Sequence, residues 1–328
     1  MKCILTAIKP TGQLTLGNYI GMLKNLKEIQ KNEKCKSFIF IANLHALTKP
    51  IKKEELQKNT IDIAIFYLAV GLDLKKSIFF LQSDVNAHSE LSVILQNYFY
   101  IGELKRMTQF KNEFKKNKNN YLGLFLYPVL MVADILLYDA NIIPVGEDQI
   151  QHIELTRNFV NRFNNFYKKK IFTMPDYVVN KTGKRIMNLL DPKQKMNKSN
   201  VNGVIFLKDK PDVIYKKIMS AVTDSEKKIK YDIANKPGIS NLLQIYASLK
   251  GIDINKCEEH FKNYSYLNFK KEVANIVVSE ISALQKKYHQ ILKSKIINKI
   301  LKEGAEKANK IANEKLKKIK KIIGLDLS

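Results

Sequence analysis

The chain has no tryptophan and only three cysteines in 328 residues. Cys3, Cys35 and Cys257 lie far apart and are odd in number, which argues against a disulfide framework or a paired-cysteine zinc site and implies a reducing compartment. Glycine and proline are sparse, at 13 and 8 residues, which excludes collagen-like and mucin-like chains. A chain of this length buries roughly 70–75% of its unfolded surface, so a core-poor miniprotein is excluded too. No apolar run reaches the roughly 18 residues of a membrane span. Met1 leads into a short apolar stretch and the Pro10-Thr11-Gly12 turn with no signal peptide. No membrane partner is expected, and the default location is the cytoplasm, although a processed organellar chain would read the same way.

Acidic residues are scarce as well: 31 Asp and Glu stand against 56 Lys and Arg, a formal net charge of +25. Two readings stay open. The charge suits polyanionic partners such as nucleic acid. An AT-rich genome would write the same chain, because only Arg106, Arg157, Arg162 and Arg185 are arginines. Familiar motifs are missing: there is no Gly-x-Gly-x-x-Gly fingerprint, no Walker loop, no nucleophile elbow and no His-Glu-x-x-His. Covalent and zinc-dependent hydrolysis are therefore not expected, and no metal-ligand set is assigned.

What is present is an alternation. Short apolar runs at Cys3 to Ile8, Ser37 to Ala42, Ile78 to Gln82 and Asn141 to Val145 read as strands. Between them lie helical patterns at Asn18 to Gln30, Lys53 to Val70, Ser89 to Ile101, Pro128 to Tyr138 and Gln149 to Phe166. That rhythm predicts an α/β fold with a parallel sheet. Lys111 to Asn120, rich in lysine and asparagine, reads as a flexible excursion. Beyond Gly203 the pattern is helical, ending in Lys299 to Ile323 with a stripe of Ile300, Leu301, Ala305, Ala308, Ile311, Ala312, Leu316, Ile319 and Ile322 that suits core packing.

Four constellations carry chemistry. Pro10 to Gly21 joins the first strand to the first helix, where Gly17 and Asn18 would expose helix-start N–H groups to an anion; a purely structural turn would look alike. Lys195-Met196-Asn197-Lys198-Ser199 places two ammonium groups three residues apart, able to surround a polyphosphate, although a lysine-rich chain offers such pairs by chance. In Tyr127 to Tyr138 a single carboxylate, Asp134, stands in an apolar helix and shares a face with Tyr127 and Met131, with Pro128 placed in the first helical turn. Its partner is either a ligand N–H or a neighbouring arginine or backbone group. Gly146-Glu147-Asp148-Gln149 and His45 follow strand ends, where ligand sites of such sheets gather. His152 and Arg157 read as packing or ion-pair residues.

With these residues in hand, the chain resembles the tryptophanyl-tRNA synthetases, class I aminoacyl-tRNA synthetases of bacterial or organellar type. Thr15 to Gly21 is similar to their HIGH signature and Lys195 to Ser199 to their KMSKS loop. Tyr100 to Phe110, Gly146 to Gln149, Ala221 to Ser225 and Lys236 to Leu243 are similar to further stretches of the family. The resemblance implies a Rossmann-like catalytic domain over 1–204, with a helical insertion at about 105–140, and a mainly helical anticodon-binding domain over 205–328 whose last helices pack back. It implies that Lys9, Pro10, Thr11, Gly17, Asn18, Gly146, Glu147, Asp148, Ile186, Lys195, Met196, Asn197, Lys198 and Ser199 bind ATP, brought with Mg²⁺. Thr15, Asn18, Lys195 and Lys198 would serve catalysis, and Asp134, Tyr127, Met131, Gln149 and His45 would hold L-tryptophan. The implied partners are tRNA(Trp) and a second copy of the chain.

The chain departs from the family at Ala7 and Lys9, where Gly and Gln are usual, at Asn43 and Leu44, where Asp and Gln are usual, and at Asn197, where Ser is usual. Lys9 keeps a donor; Leu44 offers no side-chain hydrogen bond. A tyrosine-specific synthetase, an adenylyltransferase and a non-catalytic RNA-binding scaffold are the rival readings.

Overall fold

A computed structural model of the chain describes residues 2–24, 26, 30, 35–116, 120–179, 185–196 and 201–327. Among them five strands form one parallel sheet in the order β3-β2-β1-β4-β5. These are β1 (Lys2–Ile8), β2 (Cys35–Ile41), β3 (Ser77–Leu81), β4 (Ile142–Val145) and β5 (Asp176–Val179). The first four nearly coincide with the apolar runs. β5 has too short an apolar stretch to announce itself and is defined by its register on β4, Ile143 opposite Tyr177 and Val145 opposite Val179. Side chains alternate between two cores, as the pleat requires: Ile39, Ile41 and Phe79 enter one, Phe38, Phe40 and Phe80 the other. Both faces of the sheet are therefore covered.

The helices up to β5 are α1 (Leu16–Asn18), α2 (Asn43–Ala46), α3 (Lys53–Ala69), α4 (Ala87–Gln96), α5 (Ile101–Lys105), α6 (Thr108–Lys116), α7 (Leu122–Leu136) and α8 (Ile150–Phe166). After β5 come α9 (Pro211–Met219), α10 (Pro237–Lys250), α11 (Ile254–Phe261), α12 (Tyr266–Ser294) and α13 (Ile297–Ile323). Glu54 and Glu55 suit the positive start of α3, and Gly71 at φ 91° follows its end, where a side chain would be strained. Ser265 caps α12 by accepting from the Asn268 N–H at 3.2 Å.

Four expectations are corrected. The helix drawn from Ser89 to Ile101 is two, because the Tyr100 N–H donates to the Glu103 carboxylate at 3.1 Å and starts α5 afresh. Pro128 lies inside α7, where its missing N–H leaves the Leu124 carbonyl without its usual partner. Burial of Leu124, Val129, Val132 and Ile135 anchors that helix regardless. The stretch from Lys111 continues α6 as far as Lys116, held by Phe110, whose ring is tilted against Phe114 and edge-on to Phe125 at centroid distances of 5.5 and 5.1 Å. The helix expected from Asn18 widens into a π-helical turn over Tyr19–Leu23, and its expected apolar residue Ile29 lies outside the described residues.

The last helix covers the exposed edge of the sheet. A Cβ on Gly304 would lie 1.7 Å from the Phe79 carbonyl oxygen, so α13 crosses β3 backbone to backbone. Its stripe then divides, Ile300 and Leu301 going to one core, where Ile297 joins them, and Ala305, Ala308, Ala312, Leu316 and Ile319 to the other.

Candidate active site

The chain builds β1, β2 and β3 outward in one direction and returns to place β4 and β5 on the other side of β1. The switch point therefore falls between β1 and β4, and ligands of such sheets bind at its carboxyl end. Lys9 to Thr11 leave β1 there, and Gly146 to Asp148 leave β4 there, exposed. A side chain at Gly146 would approach the Asp148 carboxylate to 2.8 Å, and Gln149 Nε2 donates to that carboxylate at 3.1 Å. Lys9 Nζ donates to Thr48 Oγ1 at 2.7 Å. Burial first, and then the Lys49 charge, lower its ammonium pKa from the ordinary lysine value.

Thr15 and Asn18 face each other. The Asn18 N–H donates to Thr15 Oγ1 at 3.2 Å and the Thr15 N–H to Asn18 Oδ1 at 3.0 Å, a reciprocal cap on α1. The structure brings Gly17, Ile186 and Met196 together: a Cβ on Gly17 would sit 3.7 Å from Ile186 and 3.8 Å from Met196. The segment from Ile186 to Met196 folds on itself through Met196 N–H to Ile186 O at 3.0 Å and Asn188 N–H to Gln194 O at 2.8 Å. Asn241 of α10 clamps it, accepting from the Met187 N–H at 2.8 Å and donating to the Met187 carbonyl at 2.9 Å. Lys195 is exposed beside this clamp; Asn197, Lys198 and Ser199 lie outside the described residues.

Asp134 lies on the opposite wall, 3% exposed. Its Oδ1 accepts from Gln82 Nε2 at 2.8 Å and from His88 Nδ1 at 2.6 Å, and its Oδ2 from His45 Nε2 at 2.8 Å. Burial pushes this carboxyl up, but the His45 and His88 hydrogen bonds and charges outweigh it and hold the pKa at about 2. The Leu44 N–H donates to Gln82 Oε1 at 3.2 Å and so turns the amide nitrogen toward Asp134.

Tyr127 is about two helical turns away on α7. Its hydroxyl donates to Gln109 Oε1 at 2.8 Å and shares a 2.6 Å hydrogen bond with His152 Nε2, and its ring meets His45 edge-on at 6.3 Å. His152 is 2% exposed, and its Nδ1 is buried with no partner among the described residues. Burial, opposed by Asp148 and aided by His45, lowers its pKa to about 4. Burial and then Asp148 raise the Tyr127 hydroxyl above its ordinary value. Met131 is part-buried against the same core.

Sequence reasoning missed Gln82, His88 and the contact of His152 with the pocket. Asp134 is answered by two histidines and an amide, where an arginine or backbone group had been the protein-side alternative. Gln82 and His88 both follow the carboxyl end of β3, and that position was the available signal. Among the described residues no group of three His, Cys, Asp or Glu is arranged to hold a metal ion.

Residues 2–283 match the family described as tRNA synthetases class I (W and Y). The chain is 46% identical to the tryptophan–tRNA ligase of Caldanaerobacter subterraneus subsp. tengcongensis, over 100% of this chain and 99% of the relative. It is 48% identical to that of Listeria monocytogenes serovar 1/2a, over 99% and 98%. The crystal structure of tryptophanyl-tRNA synthetase from Mycoplasma pneumoniae superposes with a TM-score of 0.91 at 38% identity, covering 99% of this chain and 98% of that one. The Campylobacter jejuni enzyme complexed with ADP and tryptophan superposes at 0.82 with 35% identity, covering 98% and 99%. With the switch-point crevice, the Thr15 to Gly21 turn and the buried Asp134 in place, these matches establish that the chain belongs to the class I tRNA synthetases of the tryptophan and tyrosine group.

Proposed function

We propose that this chain is a tryptophan–tRNA ligase, which activates L-tryptophan with ATP to tryptophanyl-adenylate and pyrophosphate and then transfers the amino acid to tRNA(Trp). Whole-length relatives of that name support the reading, and the observation that carries it to the atomic level is Asp134. One ionised carboxylate, buried in an apolar wall with Tyr127 and Met131, supplies the acceptor that an indole N–H needs and that a phenyl ring cannot use.

The substrate carboxylate attacks the α-phosphorus of ATP, and pyrophosphate leaves. No side chain forms a covalent bond, so the protein supplies position and charge. Gly17, in contact with Thr15, Ile186 and Met196, would bring the start of α1 to the nucleotide, and Lys195 with Lys198 would meet the charge growing on pyrophosphate. Mg²⁺ would enter with ATP as part of that substrate. Gln149 and Tyr127 would receive the α-ammonium group, and the neutral His152 beside Tyr127 adds no repulsion to it.

The basic helical part would face tRNA. The chain would work as a homodimer in the cytoplasm, pairing through the aromatic surface where Tyr100 and Phe166, 63% and 73% exposed, flank a cavity of about 260 Å³; sedimentation at monomer mass would remove the dimer. Amino-acid-dependent ATP–pyrophosphate exchange tests the activity. Tryptophan should drive exchange above the other nineteen amino acids; exchange driven by tyrosine, or by none, overturns the assignment.

A further inference from the structure

Asp134 is held from behind by groups that a ligand in the crevice does not reach. Both donors to Oδ1, Gln82 and His88, are 0% exposed. Among the described residues Oδ2 meets only His45, whose side chain is 11% exposed. The two oxygens are therefore unequal: one is saturated by the protein interior, the other opens toward the crevice through a single replaceable partner.

Behind His88 stands Tyr138, 5% exposed, with its hydroxyl 2.8 Å from His88 Nε2. An ionised carboxylate only accepts, so His88 Nδ1 must carry the proton it points at Asp134. In the neutral ring Nε2 is then bare and the Tyr138 hydroxyl donates to it; in the cationic ring Nε2–H donates to the Tyr138 oxygen. Tyr138 matches either state and so holds the ring in place, while the acceptor-only Asp134 oxygen selects the tautomer with the proton on Nδ1. Phe40 and Phe80, at centroid distances of 5.4 and 6.0 Å, fix the plane of the imidazole.

We propose that His88, oriented by Tyr138, is the positioning residue that keeps the Asp134 carboxylate ionised and turned so that Oδ2 accepts the ring N–H of the amino acid, His45 yielding that oxygen as the substrate enters. The inference rests on the role assigned to Asp134 above. The titratable groups facing Asp134 are His45 from α2, His88 from α4 and, through His88, Tyr138 beyond the end of α7. Tyr127, His152 and Asp148 stand further out. With His88 removed, a carboxylate in this burial loses a donor and a charge, and its protonated form gains ground.

The test is tryptophan-dependent exchange in His88→Leu, His88→Asn and Tyr138→Phe, from about pH 5.5 to 8.5, where the parent carboxylate stays ionised. In His88→Leu the KM for tryptophan should rise about tenfold or more at the acid end and recover toward the alkaline end, with the KM for ATP moving less than about twofold. His88→Asn, which returns an N–H near the Nδ1 position, should restore most of the loss. Tyr138→Phe should give a rise of about two- to fivefold in the same sense. A tryptophan KM that is independent of pH in His88→Leu, or that rises together with the KM for ATP, overturns the proposal. If His88→Leu does not fold, Tyr138→Phe decides alone, an unchanged KM being the overturning result. A parent without tryptophan-dependent exchange defeats the proposed function, whereas an active parent with unaffected variants defeats only the role of His88.

Discussion

On the side of the crevice where the amino acid is proposed to bind, Asp134 has three donors, and the two on Oδ1, Gln82 and His88, are wholly enclosed, so the inner half of its hydrogen bonding is complete before any ligand arrives. On the side where the nucleotide is proposed to bind, Gly146, Glu147, Asp148 and Lys195 are exposed, and Thr15 and Asn18 are turned on each other. The difference follows from what each side must do. A carboxylate that chooses between rings has to leave water, and a buried charge is tolerable only when its hydrogen bonds are already made. Groups that meet a polyphosphate can stay hydrated until it comes, because the ligand brings its own charge.

The largest effect should come from breaking the enclosed side. A site built around a buried hydrogen bond rejects an analogue without the donor by roughly 10⁴–10⁵, so Asp134→Ala should forfeit most of the preference for tryptophan over phenylalanine. The measurement is the ratio of kcat/KM values in the exchange assay. A ratio left within about tenfold of the parent would take Asp134 out of the pocket.

On the open side the expected loss is smaller and of another kind. Removing one charge-stabilising donor typically costs about 10²–10³ in the chemical step, so Lys198→Ala should slow adenylate formation by at least about tenfold while tryptophan binds as before. Pre-steady-state rates separate the two quantities. Equal rates in parent and variant, or a fall in tryptophan affinity instead, would erase the contrast between a selecting side and a charge-neutralising side.

How far the sequence alone reached follows the same division. Its apolar runs located β1 to β4 because strands buried on both faces leave continuous hydrophobic stretches, whereas β5 depends on a neighbour for its register and carries little pattern of its own. Asp134, Tyr127 and Met131 were legible as one helical face, since three- and four-residue steps are a local property. Gln82, His88 and His152 were not legible as pocket residues. They come from separate elements, and only the folding of β3, α4 and α8 against α7 puts them beside Asp134 and Tyr127. The Asn241 clamp on Met187, 54 residues away in sequence, was invisible for the same reason.

The smallest effect concerns the proton balance of the pocket. His152 titrates at about 4 in the folded chain against an ordinary 6.5. Between those values the unfolded chain holds a proton that the folded chain does not, so the contribution is complete above 6.5 and is lost as the pH falls toward about 4. Asp134, lowered from 3.8 to about 2, acts in the same sense at lower pH: its contribution is present above 3.8 and lost as pH falls through about 2. The two windows do not overlap, so His152 can be read separately. Tm followed by calorimetry should decline in the parent as the pH drops through the His152 window, and His152→Gln, which keeps a group able to bond Tyr127, should decline with a slope shallower by nearly one proton. Parallel slopes would mean that the imidazole takes up its proton inside the folded pocket, and a cation would then stand beside Tyr127 where the substrate's ammonium is proposed to bind.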